Sequence, residues 1–160
     1  MSKYLNKLNV GMFICDACKK EEELITDISG IKNTLCLNED GKASFLLLCD
    51  FNFIEYEIPK EGGMISFRFF VRTLGGSPSY LMPLLVSELG LKKDNEGVMT
   101  HRLPITIEIK DFEFPRCGNY AIEIYKHIGE IDILQEEKNR ELYRKPENFV
   151  NAISIDVKNE

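Results

Sequence analysis

Residues Leu103–Ile128 read LPITIEIKDFEFPRCGNYAIEIYKHI. Ile105, Ile107 and Ile109 alternate with Thr106, Glu108 and Lys110, the period-2 pattern of a strand with one wet face. Phe112 and Phe114 are also two apart but stand in the other phase. The slip falls across Lys110–Asp111, where either a bulge or a crossing into a second sheet would return the apolar face to the core. The chain then turns after Pro115, and Gly118 permits a positive φ. Tyr120, Ile122, Ile124 and Lys126 form the next alternating face, with Ala121, Glu123 and Tyr125 opposite. A Gly-x-Tyr opening a late strand matches the tyrosine corner of Greek-key sandwiches, whose phenol bonds back to the backbone. The competing reading is a hairpin with an ordinary half-buried tyrosine, and the regular alternation on both sides favours the corner.

Composition bounds the rest. At 160 residues the chain makes one domain, residues 1–160, able to bury about 70% of its unfolded surface. A hydrophobic content of 44% with 29% charged residues is ordinary for a globular protein. The formal net charge of -6, with no long Lys/Arg cluster, argues against nucleic acid and anionic membranes as partners. Apolar runs such as Phe45–Cys49 are far too short to span a bilayer. The N-terminal MSKYLNKLNVGMFICD is interrupted by Asn6 and Asn9 and makes a poor export signal. Five cysteines, an odd number without such a signal, read as reduced thiols of a cytoplasmic protein.

Along the chain, Val10–Cys15 reads as a first strand and Asp16–Glu23 as a polar connection or short helical turn. Ile31–Leu37 and Ala43–Asp50 read as a hairpin about the turn Asn38-Glu39-Asp40-Gly41. Phe51, Phe53 and Glu55 continue the alternation to Pro59, and Gly62-Gly63 marks a turn. Met64–Leu74 sends Ile65, Phe67, Phe69 and Val71 one way; Phe70 interrupts the opposite, polar face, which predicts that this face is partly covered. Tyr80–Leu91 carries a leucine stripe that fits a short helix or irregular segment, although Pro78 and Pro83 also suit an extended edge. A loop over Lys92–Gly97, a turn at Gly129-Glu130 and a strand over Ile131–Leu134 follow. Gln135–Lys145 reads as an exposed helix or solvated loop, and Phe149–Val157 as a last strand. The sum is an all-β chain: an antiparallel Ig-like or Greek-key β-sandwich of about eight strands, with at most one or two short helices.

The one motif with a known mechanical use is Cys15-Asp16-Ala17-Cys18. Two thiolates at this spacing can ligate zinc or exchange disulfides. A structural zinc site needs a second pair, and Cys36, Cys49, Cys117, His101 and His127 are single and scattered. A redox CxxC opens a helix after a βα crossover, which is missing. Two small residues at a strand end explain the motif without chemistry, so no metal or cofactor is assigned. His101 and His127 as bases, or Cys117 as a nucleophile, would need partners gathered in space. Asp94-Asn95-Glu96-Gly97 and Asn38-Glu39-Asp40-Gly41 lack the alternate ligands of a calcium loop and read as turns. No catalytic residue is assigned.

VGMFICDACKKEEELITDISGI and IEIKDFEFPRCGNYAIEIYKHIGE together resemble a group of uncharacterised bacterial Ig-like β-sandwich proteins. In that group an opening strand leads into a short segment ending near a glycine such as Gly30. A strand–Pro/Gly–Tyr–strand unit like Phe114–Tyr125 closes the fold. Cys117 departs from the pattern, where an acidic residue or proline is commoner. The group has no established activity, so the resemblance implies fold and bacterial origin only.

Function is therefore expected to be non-enzymatic binding or assembly in a cytoplasm, through a protein partner or self-association at a strand edge. The alternatives are a small thiol-dependent enzyme or redox/zinc protein using Cys15 and Cys18, and a structural subunit of a phage or secretion particle.

Overall fold

A computed structural model describes residues 7–22, 24–58, 64–84, 89–92, 97–128 and 136–160. Its strands are β1 (Lys7–Cys15), β2 (Ala17–Glu21), β3 (Leu24–Ser29), β4 (Thr34–Leu37), β5 (Lys42–Ile58), β6 (Met64–Thr73), β7 (Leu81–Pro83), β8 (Leu89–Lys92), β9 (Gly97–Glu113), β10 (Gly118–Ile128) and β11 (Phe149–Asn159). One helix, α1 (Glu136–Tyr143), and a 3-10 turn at Pro146–Asn148 precede β11. The chain is all-β, as its alternation predicts. No helix among the described residues is long and apolar enough to cross a membrane.

The strands form a three-stranded sheet in the order β1-β5-β9 and a six-stranded sheet in the order β4-β11-β10-β6-β7, with β8 also paired to β6. Pairing is antiparallel except between β4 and β11. Both sheets turn one face to a single core. Val10, Met12, Ile14, Leu47 and Phe51 line it from one side, and Phe67, Phe69, Ile122, Ile124 and Ile155 from the other. The rings of Phe51 and Phe67 lie 4.7 Å apart at their centroids.

The phase slip at Lys110–Asp111 is a bulge and not a sheet crossing. Ala43 stands opposite Phe112 and Phe45 opposite Ile109, so Ser44 alone faces two residues. Asp111 takes φ 50°, and its N–H donates to Ser44 Oγ at 2.9 Å. Ile109 and Phe114 are thereby both buried. A second bulge interrupts β5 between Phe53 and Tyr56, where Glu55 takes φ 45°. It corrects the simple alternation through Glu55: that residue is exposed, and Tyr56, 1% exposed, takes the inner place. A buried carboxylate would cost far more than a local bulge.

Three further expectations are revised. Asp16–Glu23 is not a polar connection, because β2 pairs with β3 as a hairpin. The turn at Asn38–Gly41 forms, with Gly41 at φ 74° and its N–H donating to Asn38 O at 3.0 Å. Its arms nevertheless join different sheets, β4 beside β11 and β5 beside β1. Turn chemistry specifies a reversal, whereas sheet membership follows from where Leu35 and Leu37 find apolar cover. Leu81–Pro83 and Leu89–Lys92 are strands on the edge of β6 and not helix. Leu81 packs outside the sheet while Met82 and Leu84 reach the core, a period of two, and Pro83 sits on an edge where its missing N–H costs little.

Gln135–Lys145 is helical over Glu136–Tyr143, but it is anchored. Tyr143 is fully buried against Phe70 and Tyr125, which is the cover that Phe70 required. The expected turns at Gly62-Gly63 and Gly129-Glu130, residues 93–96, the strand over Ile131–Leu134 and the N-terminal residues 1–6 lie outside the described residues.

Candidate functional site

The residues singled out for chemistry are dispersed. Cys15 ends β1, is 0% exposed and stands opposite Leu46. Burial raises its thiol pKa, the charges of Cys18 and Asp16 add to this, and Lys32 opposes it, so the thiolate is disfavoured at neutral pH. Cys18 lies on β2, half-buried, with Sγ 3.3 Å from Thr106 Oγ1. Burial pushes Cys49 up to about 12. Cys36 and Cys117 are exposed, and all five thiols are free. His101 is exposed on β9 opposite Phe53. His127 is half-buried on β10, its ring 5.9 Å from that of Tyr143. Among the described residues no three His, Cys, Asp or Glu side chains are grouped to hold a metal.

What the fold does assemble is a seam where β1 and β11 run side by side without pairing. Along β1 the ladder to β5 uses alternate residues. The others point away from it: Ile14 C=O accepts from Lys32 N–H at 2.9 Å, and Val10 C=O accepts from Asn151 Nδ2 at 2.6 Å. Met12, midway between them, presents its N–H and C=O in the same direction. On β11 the outward residues are marked by Asp156 N–H, which donates to Asn33 O at 2.8 Å, and by Ala152 N–H, which donates to Asn151 Oδ1 at 2.8 Å. Ser154 lies between, with its N–H and C=O facing the same seam. No ladder joins β1 to β11 at either position.

Both ends of the seam are clamped. At one end the Asn151 amide spans the sheets, accepting from its own strand and donating to β1. At the other the segment after Gly30 is wedged in. Gly30 takes φ 67°, and a Cβ there would collide with the Asp16 carboxylate; that carboxylate pairs with Lys32 Nζ at 2.5 Å. The opening between the clamps is about 480 Å³. Its walls include Ile153, Phe13 and Ile31, and Ile31 is 64% exposed, a large apolar side chain held at a rim without cover.

Chemically the seam combines outward-directed backbone groups of Met12 and Ser154 with an apolar wall, the kinds of group that β-augmentation uses. The other long edge is blunted. On β9, Pro104 lacks a donor and the Asp111 bulge breaks the line, two devices that oppose edge pairing. Sequence reasoning missed the seam because Met12 and Ser154 are unremarkable residues whose significance arises from which strands they lack. The exposure of Ile31 is likewise a property of the fold, since the sequence reads Ile31 as the start of a strand.

No family model matches the sequence, and no curated protein does. A β-glucosidase from Listeria innocua, solved in complex with gluconolactone, is similar in shape at 9% sequence identity and a TM-score of 0.43. The match covers 99% of this chain and 17% of that one, so the chain spans about a sixth of that protein's length. So distant a likeness carries neither fold nor activity across.

Proposed function

We propose that the chain is a non-enzymatic binding or assembly module of a bacterial cytoplasm, built on an Ig-like Greek-key sandwich, that takes an extended segment of a protein partner into the seam between β1 and β11. The observation that carries this is the unpaired run of β1 beside β11, with Met12 and Ser154 both lining one apolar opening. Four backbone hydrogen bonds, each worth about 0.5–1.5 kcal/mol net, do not by themselves overcome the cost of association. Side chains against Ile31 and Ile153 must supply the rest, so the partner segment is apolar at alternate positions.

The Ig-like assignment is supported by strand order: β1-β5-β9 and β11-β10-β6 follow the A-B-E and G-F-C order of that fold, and a tyrosine corner opens β10. Five free thiols support a reducing compartment. The burial of Cys15 weighs against thiol chemistry at Cys15/Cys18.

Fluorescence anisotropy of a labelled, soluble strand peptide, Thr-Val-Lys-Val-Thr-Val amide, tests the proposal. Saturable binding to the native chain, lost in Ser154→Pro, is expected. That substitution removes the outward donor of an exposed residue and leaves the ladder to β10 intact. Absence of binding, or equal binding by Ser154→Pro, contradicts it.

A further inference from the structure

The outer face of the three-stranded sheet carries apolar residues where a wet face should be polar. Phe13 and Leu48 are directly opposed there. The β2–β3 hairpin folds over them, and Leu48 falls to 2% exposure. Cover is incomplete: beneath Ile25 and Ile28 of the hairpin a cavity of about 230 Å³ remains.

Its mouth is polar and oriented. Arg102 Nε lies 3.0 and 3.1 Å from the two Asp50 carboxylate oxygens, and its Nη2 lies 2.7 Å from Oδ2. This fork fixes the guanidinium plane. It consumes the Nε–H and one Nη2–H, so three of the five guanidinium N–H groups have no partner among the described residues. Asp50, in contrast, already accepts three contacts and has little capacity left for a ligand donor. The site thus seeks an acceptor, and a planar anion suits a guanidinium fork best. A single guanidinium above an apolar floor matches a carboxylate with an apolar body better than a phosphate, which calls for several donors.

Size narrows the body. A dry protein cavity of about 150 Å³ holds benzene, so the larger cavity takes a ring with a carboxylate at its rim. We propose that the cavity under the β2–β3 hairpin is a binding site for a small aromatic or branched carboxylic acid of about the size of benzoate, held by Arg102 at its mouth. It is independent of the strand seam and shares only Phe13 with it.

The test is an NMR titration of the isotope-labelled chain with sodium benzoate and, separately, with benzyl alcohol, which has the same body without the charge. Benzoate should give saturable shifts at Phe13, Ile28 and Leu48, and benzyl alcohol should bind about tenfold more weakly, for want of the charge-assisted hydrogen bonds. Arg102→Gln, at an exposed position, should bring benzoate down to the level of benzyl alcohol and leave benzyl alcohol unchanged, with the unperturbed spectrum reporting an intact fold. Absence of saturable benzoate shifts, equal binding of the two compounds, or unchanged benzoate binding in Arg102→Gln would each overturn the proposal.

Discussion

The Tyr120 hydroxyl donates to the carbonyl of Arg116 at 2.5 Å, and the Arg116 N–H donates back to the same oxygen at 3.3 Å. One side chain, 1% exposed, therefore holds both polar groups of a residue four positions upstream and locks the approach to β10. The ring also packs edge-on against Phe114, 5.1 Å between centroids. Tyr120→Phe keeps that packing and leaves both Arg116 groups without their partner. It should cost roughly 1–2 kcal/mol, read as a lowered Tm; an unchanged Tm would mean that the hydroxyl does not hold the corner.

The bulge at Asp111 makes a separate prediction. At φ 50° aspartate is tolerated, glycine is unstrained and a β-branched residue is not. Asp111→Gly should stay within about 0.5 kcal/mol of the native chain, whereas Asp111→Val should lose roughly 1–2 kcal/mol. Urea unfolding of the two variants separates them, and equal midpoints would contradict the left-handed assignment.

Thiol titration adds a pH dependence with a definite sign. Cys49 is raised from 9.0 to about 12 by burial, so the folded state holds its proton more tightly than the unfolded chain. Its contribution is fully present below pH 9 and is lost as pH rises towards about 12, because the unfolded state gains by ionising first. Stability measured by urea midpoints should fall over that window, and Cys49→Ala should flatten the fall. In the native chain at neutral pH, iodoacetamide should label Cys36 and Cys117 readily and spare Cys15 and Cys49 until unfolding.

Asn151 joins the sheets by donating to Val10 C=O, and its side chain is held by accepting from Ala152 N–H on its own strand. Asn151→Ala removes both and should cost roughly 1–3 kcal/mol. Its distinguishing consequence is local: amide exchange should quicken at Ala152 while the central residues of β6 are unchanged. Uniform quickening would show that the contact supports the whole fold and not the seam.

These features differ in how far the sequence discloses them. The bulge and the tyrosine corner are legible because each leaves a local trace, a phase slip at Lys110–Asp111 and a tyrosine two residues after Gly118. The cover over Phe70 is legible as an apolar residue on a polar face, although Tyr143 as its source is not. Sheet membership is beyond local pattern: Leu35 and Phe45 flank one turn and alternate alike, yet they enter the core from opposite sheets. The β2–β3 hairpin hides in a charged stretch because its inner face needs only Cys18, Ile25 and Ile28. The seam is the least legible element, since it consists of backbone groups left over after every strand has chosen its neighbours.

Amide hydrogen exchange at Met12 and Ser154, measured without and with the Thr-Val-Lys-Val-Thr-Val peptide, is the most direct test of the seam as a strand-binding site. Both amides should exchange much faster than their neighbours Phe13 and Ile155 in the free chain, and both should become protected when the peptide is saturating. Protection of either amide in the free chain, or no gain in protection with bound peptide, would contradict the account.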